Sequence, residues 1–324
     1  MRTLKHCILN LLLSPLYLYA QEDARGVKPI NSSINIKNTK AVVVGISDYK
    51  NINDLQYADD DANAISEYLI NNGLLDSSDV TLLLDSTATK YNVQYAIYNT
   101  LGNAQKGDQV IIYFAGHGDA NQTDRLSKKG YLLCHEVKKS TDYELSDALA
   151  INTIKEYIDN AVDKGIFVVL ILDACRSGFF VDNRKNTTVA ATLAQLNADW
   201  LNTIKLISCE PDQASLEGKE WGGGHGVFTH YLLEALQNVS LQVAKPITLF
   251  ELFKYVEENT VRDTRYQQIP VKRGDSNYIL FSEKDYTESK YKARFNLSLN
   301  QDVIINKNLA KKDTSISVTD LIYR

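Results

Sequence analysis

Ile166-Phe167-Val168-Val169-Leu170-Ile171-Leu172-Asp173-Ala174-Cys175-Arg176-Ser177-Gly178 is the stretch whose reading decides the fold. Seven consecutive apolar residues, Ile166 to Leu172, are β-branched or bulky, as a strand covered on both faces of a parallel sheet requires. In such sheets ligands sit outside the carboxyl ends of the strands, where Asp173, Ala174 and Cys175 fall. Val110-Ile111-Ile112-Tyr113-Phe114 repeats the design and ends in Ala115-Gly116-His117-Gly118. Either the cysteine or the histidine alone reads as an ordinary structural residue. Together, each at a strand end and each flanked by small residues, they put a thiol and an imidazole at one crevice, a nucleophile beside a base.

The chain has 324 residues, 44% of them hydrophobic and 23% charged, enough for one large core or two modest ones. A net charge of −5, with no basic patch interleaved with aromatics, argues against nucleic acid or an anionic membrane as the main partner. Arg2 and Lys5 precede an apolar run, Ile8 to Ala20, broken by Asn10 and Pro15. That layout reads as a secretory signal peptide over residues 1–20, cleaved after Ala20, and too short to span a membrane. The expected location is secreted or periplasmic, with no stable membrane insertion once the signal is removed. Residues 21–38 are polar and contain Gly26 and Pro29, which suits a linker. The mature chain keeps Cys134, Cys175 and Cys209, which make no disulfide framework.

Strands are expected at Ala41–Ile46, Val80–Leu84, Val110–Phe114, Ile166–Leu172, Thr203–Ser208 and Tyr278–Phe281, with a short hairpin strand at Tyr131–Cys134. Helices are expected around Ala58–Leu69, Val93–Leu101, Ile151–Val162, Val227–Leu236 and Leu249–Glu258. The acidic triplet Asp59, Asp60 and Asp61 opens the first helix, as its dipole prefers. Asp119–Lys129 reads as a polar loop near the crevice and Gly222–Gly226 as a flexible one. Alternation at this spacing means an α/β fold: a central, mostly parallel sheet with helices on both faces, over residues 39–283. Residues 284–324 are charged with brief apolar alternation, an accessory tail or the start of a small C-terminal module.

At these motifs the chain resembles the caspase and metacaspase clan, and its bacterial metacaspase-like members most. Asp173-Ala174-Cys175-Arg176-Ser177-Gly178 stands near the caspase pattern of a cysteine about 50 residues after its histidine. Leu55–Ala62, Ser208–Ala214 and Gly226–Thr229 extend the resemblance over roughly residues 40 to 283. It implies a caspase-like fold and a cysteine endopeptidase working by a Cys175–His117 dyad. The backbone N–H groups of Gly118 and Cys175 would form the oxyanion site. It further implies that Asp61 and Asp173 bind the basic side chain of a residue cleaved at Arg or Lys, so that partners are protein or peptide substrates with a basic P1. Two departures stand out: Ala115 and Ala58 occupy places where many metacaspases carry serine and cysteine. The expectation is that no cofactor is required, although the resemblance leaves calcium dependence open, since some relatives need calcium; Asp182 and Asp147 are the candidate oxygen donors here.

Other readings stay open at this point. A non-proteolytic scaffold of the same fold would be expected to lose the cysteine or histidine, and a different cysteine hydrolase would not call for paired acids. His225, in its glycine-rich loop, is a rival base; His135, His230, Cys134 and Cys209 read as structural. Arg184 and Lys185 are the expected place of self-processing, against the alternative of a merely solvated basic loop.

Overall fold

The computed structural model describes residues 36–72, 74–120, 130–138, 147–174, 200, 203–210, 213–241 and 248–281. The expected signal peptide, most of the expected linker, the expected tail, Cys175, Asp182, Arg184 and Lys185 lie outside the described residues.

Strands β1 (Thr39–Gly45), β2 (Val80–Leu84), β3 (Gln109–Ala115), β7 (Phe167–Asp173) and β8 (Thr203–Ile207) run parallel in a six-stranded sheet. Strand β11 (Val271–Arg273) closes one edge antiparallel to β8, giving the order β11-β8-β7-β3-β1-β2. The period of two sorts side chains between two cores. Val42, Val44, Ile112, Phe114, Leu170 and Leu172 face one, and Val43, Ile111, Tyr113, Val169 and Ile171 face the other. Helices α2 (Lys90–Asn103) and α3 (Ile151–Asp163) cover the first face through Val93, Ile97, Ile154 and Ile158. Helices α1 (Ala58–Asn71), α4 (Val227–Leu241) and α5 (Leu249–Asp263) cover the second through Ala62, Ile65, Phe228, Leu232, Leu252 and Val256. Each buried Val, Leu, Ile or Phe side chain among them contributes about 1.5–3 kcal/mol by leaving water.

Above the parallel strand ends, β4 (Gly118–Ala120), β5 (Gly130–Leu133) and β6 (Ala148–Ala150) form a small antiparallel sheet. Asp119, expected in a loop, is thus within a strand. A two-stranded hairpin pairs β9 (Glu217–Gly218) with β10 (His225–Gly226). The glycines expected to be a flexible loop are its turn: Gly222, Gly223 and Gly224 hold φ values of 63°, 92° and 146°, a conformation that side chains disfavour.

Tyr278–Phe281 is not the last strand; only Ile279 bridges, to Thr248. The run fills the core, with the Tyr278 hydroxyl and the Leu280 carbonyl both bonded to the buried Gln109 side chain. Four apolar residues are too few for their period to separate a strand from such a plug. The true edge, β11, was concealed by Lys272 and Arg273, charges of the kind edge strands carry.

The topology places the site. From β1 the chain goes to one side for β2 and to the other for β3 and β7, and the crevice opens at that switch point. A Cβ on Gly45 would run into the Ala58 carbonyl and the Ala62 side chain, so glycine lets α1 press its first turn against the end of β1.

Candidate active site

His117 follows β3 by two residues and is 2% exposed. Its backbone N–H donates to the Tyr49 hydroxyl at 2.8 Å, and that hydroxyl donates to the Leu133 carbonyl at 3.2 Å. The two rings stack at 4.6 Å, and a Cβ on Gly116 would lie 2.7 Å from the Tyr49 oxygen, so only glycine admits this packing. Nε2 lies 2.9 Å from the carbonyl oxygen of Asn53. A carbonyl only accepts, so Nε2 carries the proton and Nδ1 of the neutral ring holds the free lone pair. Nδ1 is buried with no hydrogen-bond partner among the described residues. Burial lowers the His117 pKa to about 4, against smaller upward pulls from the Asn53 carbonyl and Asp54, so the ring is neutral around pH 7.

Ala115 on β3 is in register with Asp173 on β7, and the Gly116 N–H donates to the Asp173 carbonyl at 3.2 Å. His117 and Cys175 therefore each come two residues after a paired position on adjacent strands. Cys175 lies just outside the described residues. Its predecessor Ala174 has its carbonyl 3.3 Å from where a Gly118 Cβ would be, so the backbones of the two loops are in contact.

Asp173 is buried, its Oδ1 accepting from the Ser215 hydroxyl at 2.5 Å and its Oδ2 from the Thr229 hydroxyl at 2.7 Å. The Tyr113 hydroxyl lies 2.7 Å from that of Thr229, which leaves Tyr113 as donor in this chain. Burial raises the Asp173 pKa, and hydrogen bonds from Ser215, Thr229 and Ser208 pull it back. Asp61, 2% exposed on α1, accepts from the Gly226 N–H at 3.0 and 3.2 Å and pairs with His225 Nδ1 at 2.8 Å. Burial raises its pKa to about 7, the His225 hydrogen bond opposing and the Asp173 charge adding. A Cβ on Gly226 would sit 2.8 Å from Asp173 Oδ2 and 2.9 Å from Asp61 Oδ2. The two carboxylates thus converge on one point, and glycine alone fits between them.

A caspase domain family model matches residues 38–277, which span all the residues just described. The chain belongs to the caspase domain family. Among curated proteins it is similar to Metacaspase-2 of Arabidopsis thaliana, 25% identical over 236 residues, covering 61% of this chain and 56% of that protein. Metacaspase-1 of Arabidopsis thaliana is 24% identical over 199 residues, at 55% and 53% coverage. The chain spans about half the length of these relatives. A solved protein of Geobacter sulfurreducens, GSU0716, shares the fold with a TM-score of 0.52 and 17% identity over 73% of this chain and 93% of its own.

In this caspase domain four of the expected site positions, His117, Gly118, Asp173 and Asp61, come together at the ends of β3, β7 and β1. His225, the alternative base, has its Nδ1 on Asp61. His135 Nδ1 instead meets the Asp48 carbonyl at 2.6 Å, and His230 faces Glu234 one turn along α4 at 3.5 Å. Cys134 and Cys209 are buried; burial pushes the Cys134 thiol up, and Cys209 donates to the Gln213 carbonyl. Asp147 precedes β6, and among the described residues no group of three or more His, Cys, Asp or Glu is placed to hold a metal ion.

Sequence reading did not identify Asn53, Tyr49, Ser215 or Thr229 as parts of the site. Asn53 acts through its main chain, which leaves no signature. Ser215 lies just beyond the Ser208–Ala214 motif and Thr229 ends the Gly226–Thr229 motif, where hydroxyls beside a buried acid were the available signal.

Proposed function

We propose that this caspase domain is a cysteine endopeptidase that cleaves peptide bonds after Arg or Lys. His117 Nδ1 takes the Cys175 thiol proton, and the thiolate attacks the carbonyl of the scissile bond. The N–H groups of Gly118 and Cys175 receive the resulting oxyanion. Collapse expels the amine, protonated by the His117 imidazolium, and leaves a thioester. Water, deprotonated by His117, then releases the carboxylate product and restores the thiol. Asp61 and Asp173 bind the P1 cation. The observation that carries the substrate class is the convergence of these two buried carboxylates at Gly226, beside the loop that leads to Cys175. Two acids around one guanidinium or ammonium are favourable charge-assisted recognition, whereas an acidic P1 would be repelled.

A positional-scanning peptide library, run with calcium and with a chelator, tests this directly. Cleavage after Arg and Lys is the expected result, and cleavage mainly after Asp overturns the pocket assignment. Loss of activity in the chelator would show that the reaction needs a metal ion. The leader-like residues 1–20 support a secreted or periplasmic setting for this activity. Among the described residues no helix is long and apolar enough to cross a membrane.

A further inference from the structure

The carboxylate that would receive the substrate cation already holds a partner. Asp61 Oδ1 is 2.8 Å from His225 Nδ1, and the His225 side chain is 20% exposed against 3% for Asp61. The imidazole is therefore the more accessible member of the pair, and it occupies one of the two oxygens of an almost fully buried acid. Its position is built in. The turn Gly222–Gly224 lacks the side chains that would exclude it: a Cβ on Gly222 would lie 2.9 Å from His225 Cδ2 and 3.0 Å from His230 Nδ1, and one on Gly224 would lie 2.6 Å from the Tyr57 ring. Gly226, the next residue, donates to the same carboxylate, which fixes the His225 backbone relative to Asp61.

The charged groups around His225 are mostly acidic. Asp60 and Asp61 belong to α1, and Asp173 ends β7 across Gly226. Glu217 lies opposite Gly226 on β9, and Glu220 lies over Gly218, the residue opposite His225. His230 on α4 is the opposing basic group. The Glu217 carboxylate is taken up by the backbone N–H groups of Gln56 and Tyr57. Asp61 raises the His225 pKa above its ordinary value, against the smaller downward pull of burial.

We infer that His225 is the pocket's internal counter-ion: its imidazolium pairs with Asp61 in the empty pocket and gives up that oxygen, releasing its proton to solvent, when a basic P1 side chain enters. The inference rests on the basic-P1 reading above and adds a coupling to it. Below the His225 titration, a substrate cation competes with a bonded internal cation. Above it, the ring is neutral and yields Asp61 at less cost, so affinity for basic P1 residues rises with pH. His225 is on this account a specificity residue acting through Asp61, not a second catalytic base.

The test uses the full-length Cys175→Ala protein, which binds without cleaving, and two peptides differing only in Arg or citrulline at P1. Calorimetry between pH 5.5 and 7.5, in buffers of different ionisation enthalpy, measures affinity and proton release. NMR titration of the His225 ring follows its protonation directly. Arg-peptide affinity is expected to rise by about tenfold over that range, with the His225 midpoint falling once the peptide is bound. Adding His225→Gln should remove the ring's share of the proton release that accompanies Arg-peptide binding and leave a pH dependence set by Asp61, whose pKa burial raises to about 7, whereas a merely structural histidine would leave that proton release unchanged. If Arg is preferred over citrulline but the His225 midpoint does not move on binding, the counter-ion role is wrong and the basic pocket stands. If Arg and citrulline bind alike at every pH with and without His225, the basic pocket fails and the counter-ion role fails with it.

Discussion

His117 Nε2 lies 2.9 Å from the main-chain carbonyl of Asn53, and this contact sets which nitrogen of the ring is free to accept a proton. No carboxylate is needed to orient the imidazole, since the carbonyl fixes the tautomer and Nδ1 is left with its lone pair. Cys175→Ala and His117→Ala should each lower kcat/KM on a good peptide by several orders of magnitude, with circular dichroism unchanged. Full activity in the Cys175→Ala protein would refute the mechanism. Activity in His117→Ala together with its loss in His225→Ala would move the base to His225.

Tyr49 holds the same ring from below through its stack and through its hydroxyl, which bridges the His117 N–H and the Leu133 carbonyl. Tyr49→Phe keeps the stack and strands both buried backbone groups. A stability loss of about 1–3 kcal/mol in urea denaturation is expected, with kcat falling more than KM rises. An unchanged urea midpoint and unchanged kcat would show that the hydroxyl positions nothing.

Protonation of His117 also links stability to pH. Its folded pKa of about 4 lies below the ordinary 6.5, so between those values the unfolded chain binds the extra proton. The contribution of His117 to stability is complete above about pH 6.5 and declines as pH falls toward 4, a loss of up to about 3 kcal/mol. His117→Asn has no such proton to bind, so the stability gap between wild type and variant should shrink or reverse on acidification. Denaturant titrations at pH 4.5 and 7.5 measure it; a gap independent of pH contradicts the buried neutral ring.

The two acids of the pocket make the specificity testable. Asp61→Asn or Asp173→Asn removes one charge facing a substrate cation, an interaction worth about 1.5–3 kcal/mol. For Arg substrates kcat/KM should fall by roughly tenfold to a hundredfold or more, while cleavage after uncharged residues falls far less. Equal losses for charged and uncharged P1 substrates would assign both acids to the scaffold.

How far these roles were readable depended on how local their cause is. His117 and Asp173 stand at the ends of all-apolar runs, where a parallel sheet must expose them, and both could be placed from the runs alone. Asp61 could not: at the start of a helix, Asp59, Asp60 and Asp61 all satisfy the dipole, and only the resemblance singled out the one that α1 turns into the core. His225 was visible as a histidine among glycines, but its partner lies 164 positions away, and no local pattern encodes that pairing. The same limit hid β11, whose three residues become a strand only because β8 offers an edge.

Export gives a prediction at the other end of the chain. Full-gene expression in a bacterial host should yield a mature N-terminus near Gln21 outside the cytoplasm, by terminal sequencing. Met1 or Arg2 at the start of folded cytosolic protein would refute the leader.

Self-processing is the remaining expectation, and it follows from the proposed preference for a basic P1 residue. Val181-Asp182-Asn183-Arg184-Lys185-Asn186 offers two adjacent basic residues in a polar stretch between β7 and β8, a composition that proteases cut. Cleavage after Arg184 or Lys185 would leave the two fragments joined, because β7 and β8 pair directly from Val168 opposite Thr203 to Leu172 opposite Ile207 in the middle of the sheet. Separating them would expose the apolar face of both strands and break the ladder between them. Intact mass under denaturing conditions should therefore show two fragments in the wild type and one chain in Cys175→Ala, while both elute at the same native size. An uncut wild type, or equal cutting in the two proteins, excludes self-processing. A cut in the wild type that follows an aspartate rather than Arg184 or Lys185 would carry the pocket assignment down with it.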